Sequence, residues 1–257
     1  MRHFLITDLE GPAGVDSWSQ TREGEGPAKT AAMRLLTAEV NAVLEGILAA
    51  DPAGEVTVWD GHGTGGILAA KLDPRARFLA RPAPLRESLA AGADALYFVG
   101  QHAMAGTPGA PLCHTYSSRT VAEYRLNGVP AGEFSCRAAL AGEMGVPTVF
   151  LGGDDRAVEE ARAVVPAIVG VATKAGLGIQ AAGHLRPEES CARLRTGAAA
   201  AAAWVDRIPP YRPPAPYALR IEVLPGHGVE GHLARGAEPD GERAAVLRAE
   251  RMWDLPV

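Results

Sequence analysis

The chain has 257 residues, a formal net charge of −5, 47% hydrophobic residues and 21% charged residues. This length and composition are typical of a soluble globular protein whose core needs neither disulfides nor a structural metal. No run of lysine or arginine is present, which argues against a nucleic-acid partner and a polybasic membrane anchor. The apolar stretches over residues 163–172 and 197–205 are shorter than the ~20 residues that cross a bilayer. Three cysteines without a C-x-x-C pair indicate reduced thiols, so we expect a cytoplasmic protein.

The first two thirds of the chain alternate short apolar runs with longer amphipathic stretches. Strands are predicted over residues 3–7, 55–59, 77–80, 95–99, 147–151 and 168–173. Helices are predicted over residues 28–50, 84–91, 133–144 and 155–165. Strands that alternate with helices predict an α/β fold of three layers with a parallel sheet in the middle.

A different pattern interrupts this alternation. Residues 115–126 and 129–132 flank Asn127-Gly128, the strongest short-range signal for a β-hairpin with a type I′ turn, so an inserted hairpin is predicted. From Pro187 an alanine-rich helix is predicted to about residue 206, followed by a proline-rich linker and strands over residues 218–224 and 244–252. We therefore predict an α/β domain over residues 1–186 and a smaller α+β unit over residues 187–257.

Metal-binding side chains follow three of the predicted strands. Asp8 and Glu10 come directly after the first strand, His62 after the second, and His102 after the strand that ends at residue 99. Because the carboxyl ends of parallel strands share one edge of a sheet, these residues are expected to converge. Glu133, at the start of the helix after the hairpin, supplies a third carboxylate.

These residue types suit divalent cations. Zinc and several other divalent metals prefer imidazole ligands. An aspartate has two oxygens with which to bridge two ions. The three carboxylates carry −3 and would repel one another without metal. Two zinc ions and the water molecule that they activate would balance this charge, which indicates a two-metal hydrolase. His114, twelve residues after His102, is a candidate general base, general acid or nucleophile.

The order and spacing of these motifs resemble the dinuclear zinc D-aminopeptidases of the DppA type. The resemblance covers about residues 1–175 closely and the remainder loosely. The matching segments are Asp8-Leu9-Glu10-Gly11, Glu39-Val40-Asn41-Ala42, Asp60-Gly61-His62, Gly100-Gln101-His102-Ala103, Gly106-Thr107-Pro108, His114-Thr115-Tyr116-Ser117-Ser118, Asn127-Gly128-Val129-Pro130-Ala131-Gly132-Glu133 and Gly153-Asp154-Asp155. One departure is the Gly-rich turn over residues 61–66, which lacks an asparagine expected shortly after the ligand.

The resemblance implies a metal-dependent peptidase with two Zn²⁺ per subunit and a ring-like homo-oligomer. It implies that the first domain is catalytic, that Asp8 is shared by both ions and that His114 is the catalytic base or nucleophile. The implied zinc ligands are Asp8, Glu10, His62, His102 and Glu133. The implied reaction releases an N-terminal D-amino acid from short peptides such as D-Ala-D-Ala. Two alternatives remain open: a two-metal amidase or hydrolase of another substrate, and a non-catalytic peptide-binding accessory protein.

Several other polar residues are assigned structural roles. Asp154 and Asp155 precede a helix and are expected to cap it. Glu39 lies in the first long helix, where support of a metal ligand and simple packing are both open. His227 and His232, five residues apart in a Gly-rich segment, are interpreted as surface residues.

Overall fold

The computed structural model describes residues 1–22 and 26–257. Its strands are β1 (Arg2–Thr7), β2 (Glu55–Asp60), β3 (Ala76–Leu79), β4 (Ala95–Gln101), β5 (Val121–Leu126), β6 (Val129–Pro130), β7 (Thr148–Asp154), β8 (Val169–Gly178), β9 (Ala181–His184), β10 (Tyr217–Val223), β11 (Glu238–Pro239) and β12 (Ala244–Ala249). Its helices are α1 (Trp18–Thr21), α2 (Pro27–Ala50), α3 (Leu85–Ala90), α4 (Glu133–Glu143), α5 (Asp155–Val164), α6 (Pro187–Ala203) and α7 (Glu230–Leu233).

A large sheet forms the centre of the molecule, with the strand order β3-β2-β1-β4-β7-β8-β9. All of its pairings are parallel except β8 with β9. Phe4, Leu5 and Ile6 are consecutive and all buried, as expected for a strand covered on both faces. The predicted α/β fold with a parallel sheet is confirmed.

Two pairs of helices cover this sheet. In α2, a proline occupies the first turn and Leu36, Val40 and Ile47 are buried at helical spacing. The alanine-rich α6 packs against α2 closely, since a Cβ on Gly46 would lie 2.2 Å from the carbonyl oxygen of Arg195. The other pair is α4 and α5, which pack against β7. Right-handed crossovers place the two pairs on opposite faces of the sheet.

A second, antiparallel sheet has the order β11-β12-β10-β5-β6. Asn127 and Gly128 have φ values of 52° and 81°, which is the backbone of a type I′ turn, so the predicted hairpin is confirmed. Its first strand begins at Val121 and not at residue 115, because residues 115–120 form turns. The strand predicted over residues 244–252 ends at Ala249, where a bend leads into a short 3₁₀ helix.

The proposed division of the chain at residue 186 stays a prediction. The second sheet joins β5 and β6, which precede this boundary, to β10, β11 and β12, which follow it. Helix α6 also follows it and packs against α2 and β8. Among the described helices, none is long and apolar enough to cross a membrane.

Candidate metal centre

The polar residues that follow the parallel strands lie together at one edge of the large sheet. Asp8 and Glu10 occupy the loop after β1, His62 follows β2, and His102 follows β4. Glu133, the first residue of α4, joins them from the end of the hairpin. All five side chains are buried. The structure thus brings together the five residues that the sequence singled out as metal ligands.

Two glycines allow the loops after β1 and β4 to touch. A Cβ on Gly100, whose φ is 77°, would lie 2.1 Å from the carbonyl oxygen of Asp8. A Cβ on Gly11 would lie 2.2 Å from the carbonyl carbon of Gly100. The backbone N–H of Gly11 donates to the carbonyl oxygen of Gly100 at 2.7 Å. Only glycine permits this approach, which fixes the spacing between Asp8 and His102.

The candidate ligands form two adjacent groups. Each group offers ligand atoms that lie within 4.8 Å of one another: Asp8, Glu10 and His62 in one, and His102, His114 and Glu133 in the other. Asp8 lies between them, because its Oδ2 is 3.3 Å from Nε2 of His102 in the second group. The arrangement therefore offers two neighbouring cation positions with one carboxylate within reach of both.

All three imidazoles place Nδ1 next to a backbone carbonyl oxygen. Nδ1 of His102 lies 2.8 Å from the carbonyl oxygen of Ala103, Nδ1 of His114 2.9 Å from that of Leu112, and Nδ1 of His62 3.3 Å from that of Gly65. A carbonyl oxygen only accepts hydrogen bonds, so each Nδ1 carries a proton. In a neutral imidazole, Nε2 then carries a lone pair, and this lone pair is directed towards the carboxylates. Buried lone pairs facing carboxylates fit a cation placed between them.

The electrostatics of the cluster also call for positive charge. Burial and then the charge of Glu10 raise the pKa of Asp8 to about 6. Burial opposes protonation of His62, yet the carboxylate of Glu10 outweighs it and raises the pKa of His62 to about 9. Burial opposes ionisation of Glu133, but the charge of Arg137 lowers its pKa. These shifts show that buried carboxylates and imidazoles interact strongly within the cluster, as expected for a set of metal ligands.

His114 occupies the open side of the cluster. Its ring stacks on that of His102 with centroids 3.9 Å apart and planes 14° apart, and its Nε2 is 3.9 Å from Oε1 of Glu133. Burial, followed by the charge of His102, lowers the pKa of His114. A neutral imidazole with a free Nε2 can accept a proton or ligate a metal, so the geometry is compatible with either role.

The loop that carries His114 has an unusual backbone. Leu112 and Tyr116, two residues before and after it, have left-handed φ values of 51° and 57°. Such values are uncommon for bulky residues and persist where the surroundings impose them. Here the carbonyl group of Leu112 accepts from His114, and the N–H of Tyr116 donates to Oε1 of Glu133 at 2.8 Å. The backbone conformation thus holds His114 beside Glu133.

Sequence reasoning missed Arg137, which contacts the cluster from α4. Its Nη2 lies 3.1 Å from Oε2 of Glu133, one helical turn earlier. Its Nε and Nη1 are buried without a hydrogen-bond partner among the described residues. The spacing of four residues between Glu133 and Arg137 was the only signal available in the sequence.

Lys174 and Glu39 support the loop that carries Asp8 and Glu10. The buried ammonium group of Lys174 donates to the carbonyl oxygens of Glu10, Pro12 and Val15. Oε1 of Glu39 accepts from the N–H of Ala13 at 3.0 Å and from Oγ of Ser190 at 2.7 Å. Of the two roles left open for Glu39, the structure therefore favours support of the ligand loop, through its backbone.

A cavity of about 790 Å³ opens onto the cluster. Asp8, Glu10, His62, His114 and Glu133 line its floor. Its walls include Trp59 and Tyr116 and four arginines, which are Arg22, Arg81, Arg119 and Arg137. A polar cavity of this size admits a short peptide or another small substrate.

Comparison with known proteins decides the family. A family model described as D-aminopeptidase, peptidase M55, matches residues 1–255. The chain belongs to this D-aminopeptidase family. A curated D-aminopeptidase of Bacillus subtilis (strain 168) is 28% identical over 226 residues, which are 86% of this chain and 81% of the relative.

A solved structure supports the same assignment. The zinc-dependent D-aminopeptidase DppA from Bacillus subtilis, described as a self-compartmentalizing protease, superposes with a TM-score of 0.90 at 26% identity. The match covers 99% of this chain and 93% of DppA. The resemblance found in the sequence, the fold class and the assignment as a metal-dependent peptidase are confirmed.

Asp154, two histidines and the cysteines are not among the candidate metal ligands of this D-aminopeptidase. Asp154 caps α5, with Oδ1 accepting from the N–H groups of Arg156 and Ala157, so that predicted cap is confirmed. Among the described residues, His227 and His232 belong to no group able to hold a metal. The three cysteines are free thiols.

Proposed function

We propose that this D-aminopeptidase releases N-terminal D-amino acids from short peptides such as D-Ala-D-Ala, using two zinc ions per subunit. The observation that carries the proposal is the pair of adjacent ligand groups, with Asp8 belonging to one and lying 3.3 Å from His102 of the other. Family membership and the zinc dependence of DppA support the choice of metal.

The donor set supports one place for each ion. Glu10 and His62 would hold one zinc ion, His102 and Glu133 the other, and Asp8 would be shared. When bound, zinc polarises a carbonyl group and lowers the pKa of a water molecule. The orphaned atoms Oε2 of Glu10 and Nε2 of His102, both buried without a hydrogen-bond partner among the described residues, fit this assignment. Two divalent ions also exceed the charge of three carboxylates by only one, so burial of the whole set becomes acceptable.

His114 moves the proton in the proposed reaction. Its Nδ1–H is held by the carbonyl group of Leu112, so Nε2 is free to accept a proton from the attacking water and return it to the leaving amine. The same lone pair would allow His114 to attack the scissile carbonyl directly. The proximity of His114 to His102 and Glu133 supports a role at the reacting atoms, whether as a base or as a nucleophile.

Two measurements test this function. The purified protein should contain about two zinc ions per chain by elemental analysis, and it should cleave D-Ala-D-Ala much faster than L-Ala-L-Ala until a chelator is added. Equal cleavage of the two isomers would reject the stereochemical claim and leave a two-metal amidase or hydrolase of another substrate. Peptide binding without metal and without turnover would identify an accessory protein instead.

Substitution of His114 tests the catalytic assignment. His114→Ala should lower kcat by ~10²–10⁴-fold, because it removes the proton carrier and none of the five proposed zinc ligands. His227→Ala, at an exposed histidine outside the site, is the matched control. A fully active His114→Ala enzyme would refute the assignment. Loss of zinc in parallel with activity would make His114 a ligand.

We also propose that the enzyme is a cytoplasmic, ring-like homo-oligomer that acts on small peptides. The description of DppA as self-compartmentalizing supports the assembly. So do Leu177 and Ile179 near the tip of the β8–β9 hairpin, which are 73% and 51% exposed although hydrophobic. Light scattering on the purified protein tests the assembly, and a monomeric mass would reject it.

A further inference from the structure

Arg137 forms part of the cavity wall beside the proposed zinc site. Its side chain is only 7% exposed, and Nη2 pairs with Oε2 of Glu133 at 3.1 Å. Nε and Nη1 have no hydrogen-bond partner among the described residues. A guanidinium group keeps its proton at all accessible pH values, so these buried donors stay charged. Charged donors are costly to bury without hydrogen-bond partners, which indicates that a bound ligand accepts hydrogen bonds from them.

Two aromatic rings hold Arg137 without using its donors. The guanidinium carbon lies 5.7 Å from the ring centroid of Trp59 and 5.4 Å from that of Tyr116. Cation–π contacts stabilise the positive charge over a ring face, while the N–H bonds lie in the guanidinium plane. The rings therefore fix the position of Arg137 and leave N–H groups available.

The charges of the cavity wall favour an anionic ligand. Among the described residues that line the cavity, the acidic side chains are those of Asp8, Glu10 and Glu133, all of them proposed zinc ligands. The other fully charged side chains are those of the arginines. Arg22 donates to Ser118, and Arg81 donates to the carbonyl oxygen of Gly61. Arg119 is exposed. Arg137 thus differs from the others in being both buried and incompletely paired.

The position of Arg137 limits the length of that ligand. Oε1 of Glu133 faces His102 and His114, whereas Oε2 of the same carboxylate faces Arg137. Glu133 therefore contacts the two imidazoles with one oxygen and the guanidinium group with the other, which places Arg137 next to the proposed zinc site. In an extended peptide, one residue advances the chain by about 3.5 Å. A carboxylate one residue beyond the scissile bond would therefore lie close to the metal site, as Arg137 does.

We propose that Arg137 binds the C-terminal carboxylate of the substrate and thereby selects dipeptides. The proposal rests on the peptidase function proposed above and adds a determinant of substrate length to it. A charge-assisted hydrogen bond to a planar carboxylate is the interaction for which a guanidinium group is best suited. A C-terminal amide carries no charge and cannot replace the carboxylate.

The test compares D-Ala-D-Ala with its C-terminal amide, D-Ala-D-Ala-NH₂. The parent enzyme should prefer the free acid by about 10- to 100-fold in kcat/KM, mainly through KM, as expected for a hydrogen bond to a charged group. In Arg137→Gln this preference should fall towards one. Arg137→Lys should keep part of it, because charge remains while the planar donor pattern is lost. Arg119→Gln, at an exposed arginine of the same cavity, should keep the full preference.

Zinc content is measured for every variant, because Arg137 also contacts Glu133. If Arg137→Gln slows both substrates equally and the preference persists, Arg137 acts only through Glu133 and the proposal is overturned. Loss of the preference in Arg119→Gln alone would assign carboxylate binding to that residue and overturn the proposal as well.

A binding measurement separates this inference from the proposed function. Calorimetry on zinc-loaded His114→Ala measures the affinity for both peptides while turnover is slow. Tighter binding of the free acid, lost in the His114→Ala/Arg137→Gln double variant, would support the role of Arg137 even if the parent enzyme cleaved neither peptide. Equal affinity for acid and amide would reject it, whatever the activity.

Discussion

Glu39 is a buried carboxyl group whose ionisation should destabilise the fold. Its Oε1 accepts from Ala13 and Ser190, while Oε2 is buried without a hydrogen-bond partner among the described residues. Burial raises the pKa of Glu39 from 4.5 to about 7, although these two hydrogen bonds oppose the change. Glu39→Gln keeps an acceptor at Oε1 and removes the ionisation.

The expected magnitude follows from the interval between the two pKa values. This interval is about 2.5, and each pKa unit corresponds to 1.36 kcal/mol, so ionisation costs about 3 kcal/mol as an upper bound. Because the pKa is raised on folding, the folded protein binds the proton more tightly than the unfolded chain. The contribution of Glu39 to stability is therefore full below pH 4.5 and is lost as the pH rises to about 7.

Urea unfolding at pH values from 5 to 8 measures this effect. Between pH 5 and pH 8 the free energy of unfolding of the parent protein should fall relative to that of Glu39→Gln by up to about 2.5 kcal/mol. Zinc binding adds its own pH dependence to both proteins, which cancels in the difference. Glu45→Gln, an exposed position of the same helix, controls for the introduction of glutamine. A difference that stays constant from pH 5 to pH 8 would refute the reasoning.

Three further substitutions test the contacts around the site. Lys174→Met should lower the free energy of unfolding by about 3–5 kcal/mol, because it leaves three buried carbonyl groups without their donor, and an unchanged urea midpoint would contradict this. Gly153→Ala should lower the free energy of unfolding by about 1–3 kcal/mol or more, since its Cβ would lie 2.0 Å from the carbonyl oxygen of Gln101. The control is Gly183→Ala, whose Cβ would meet no atom within 4 Å and which should change the melting temperature little. Asn127→Ala should cost about 1–3 kcal/mol, because the residue has a φ of 52° and its side chain bonds Pro214 and Ala218, and calorimetric melting of the variant checks this.

The sequence was sufficient to predict the central sheet and the residues at its edge. Short apolar runs such as residues 3–7 are typical of strands buried on both faces, and parallel strands have their carboxyl ends on one side. The convergence of Asp8, His62 and His102 follows from this rule without knowledge of any contact. The Asn127-Gly128 turn was predictable for the same reason, since its backbone requirement is local.

Contacts between distant segments were not predictable in this way. The hairpin strand β5 pairs with β10, some ninety residues later, and alternation of side chains does not specify a partner. The alanines of α6 permit a close helix crossing but do not say which helix is crossed. Buried charges leave no periodic signal either, so Lys174 and Arg137 resembled ordinary surface residues in the sequence.

The roles of the buried charged residues around the candidate centre follow from the groups that each of them contacts. Lys174 donates its hydrogen bonds to backbone carbonyl groups of the ligand loop, and Arg137 forms an ion pair with only one oxygen of Glu133. The imidazoles donate Nδ1–H to carbonyl groups, so their Nε2 lone pairs are available to a cation. The described residues around Asp8, Glu10 and Glu133 thus hold these carboxylates in place without fully neutralising them. A ligand set that is rigid and rich in buried carboxylates is what a bound cation requires.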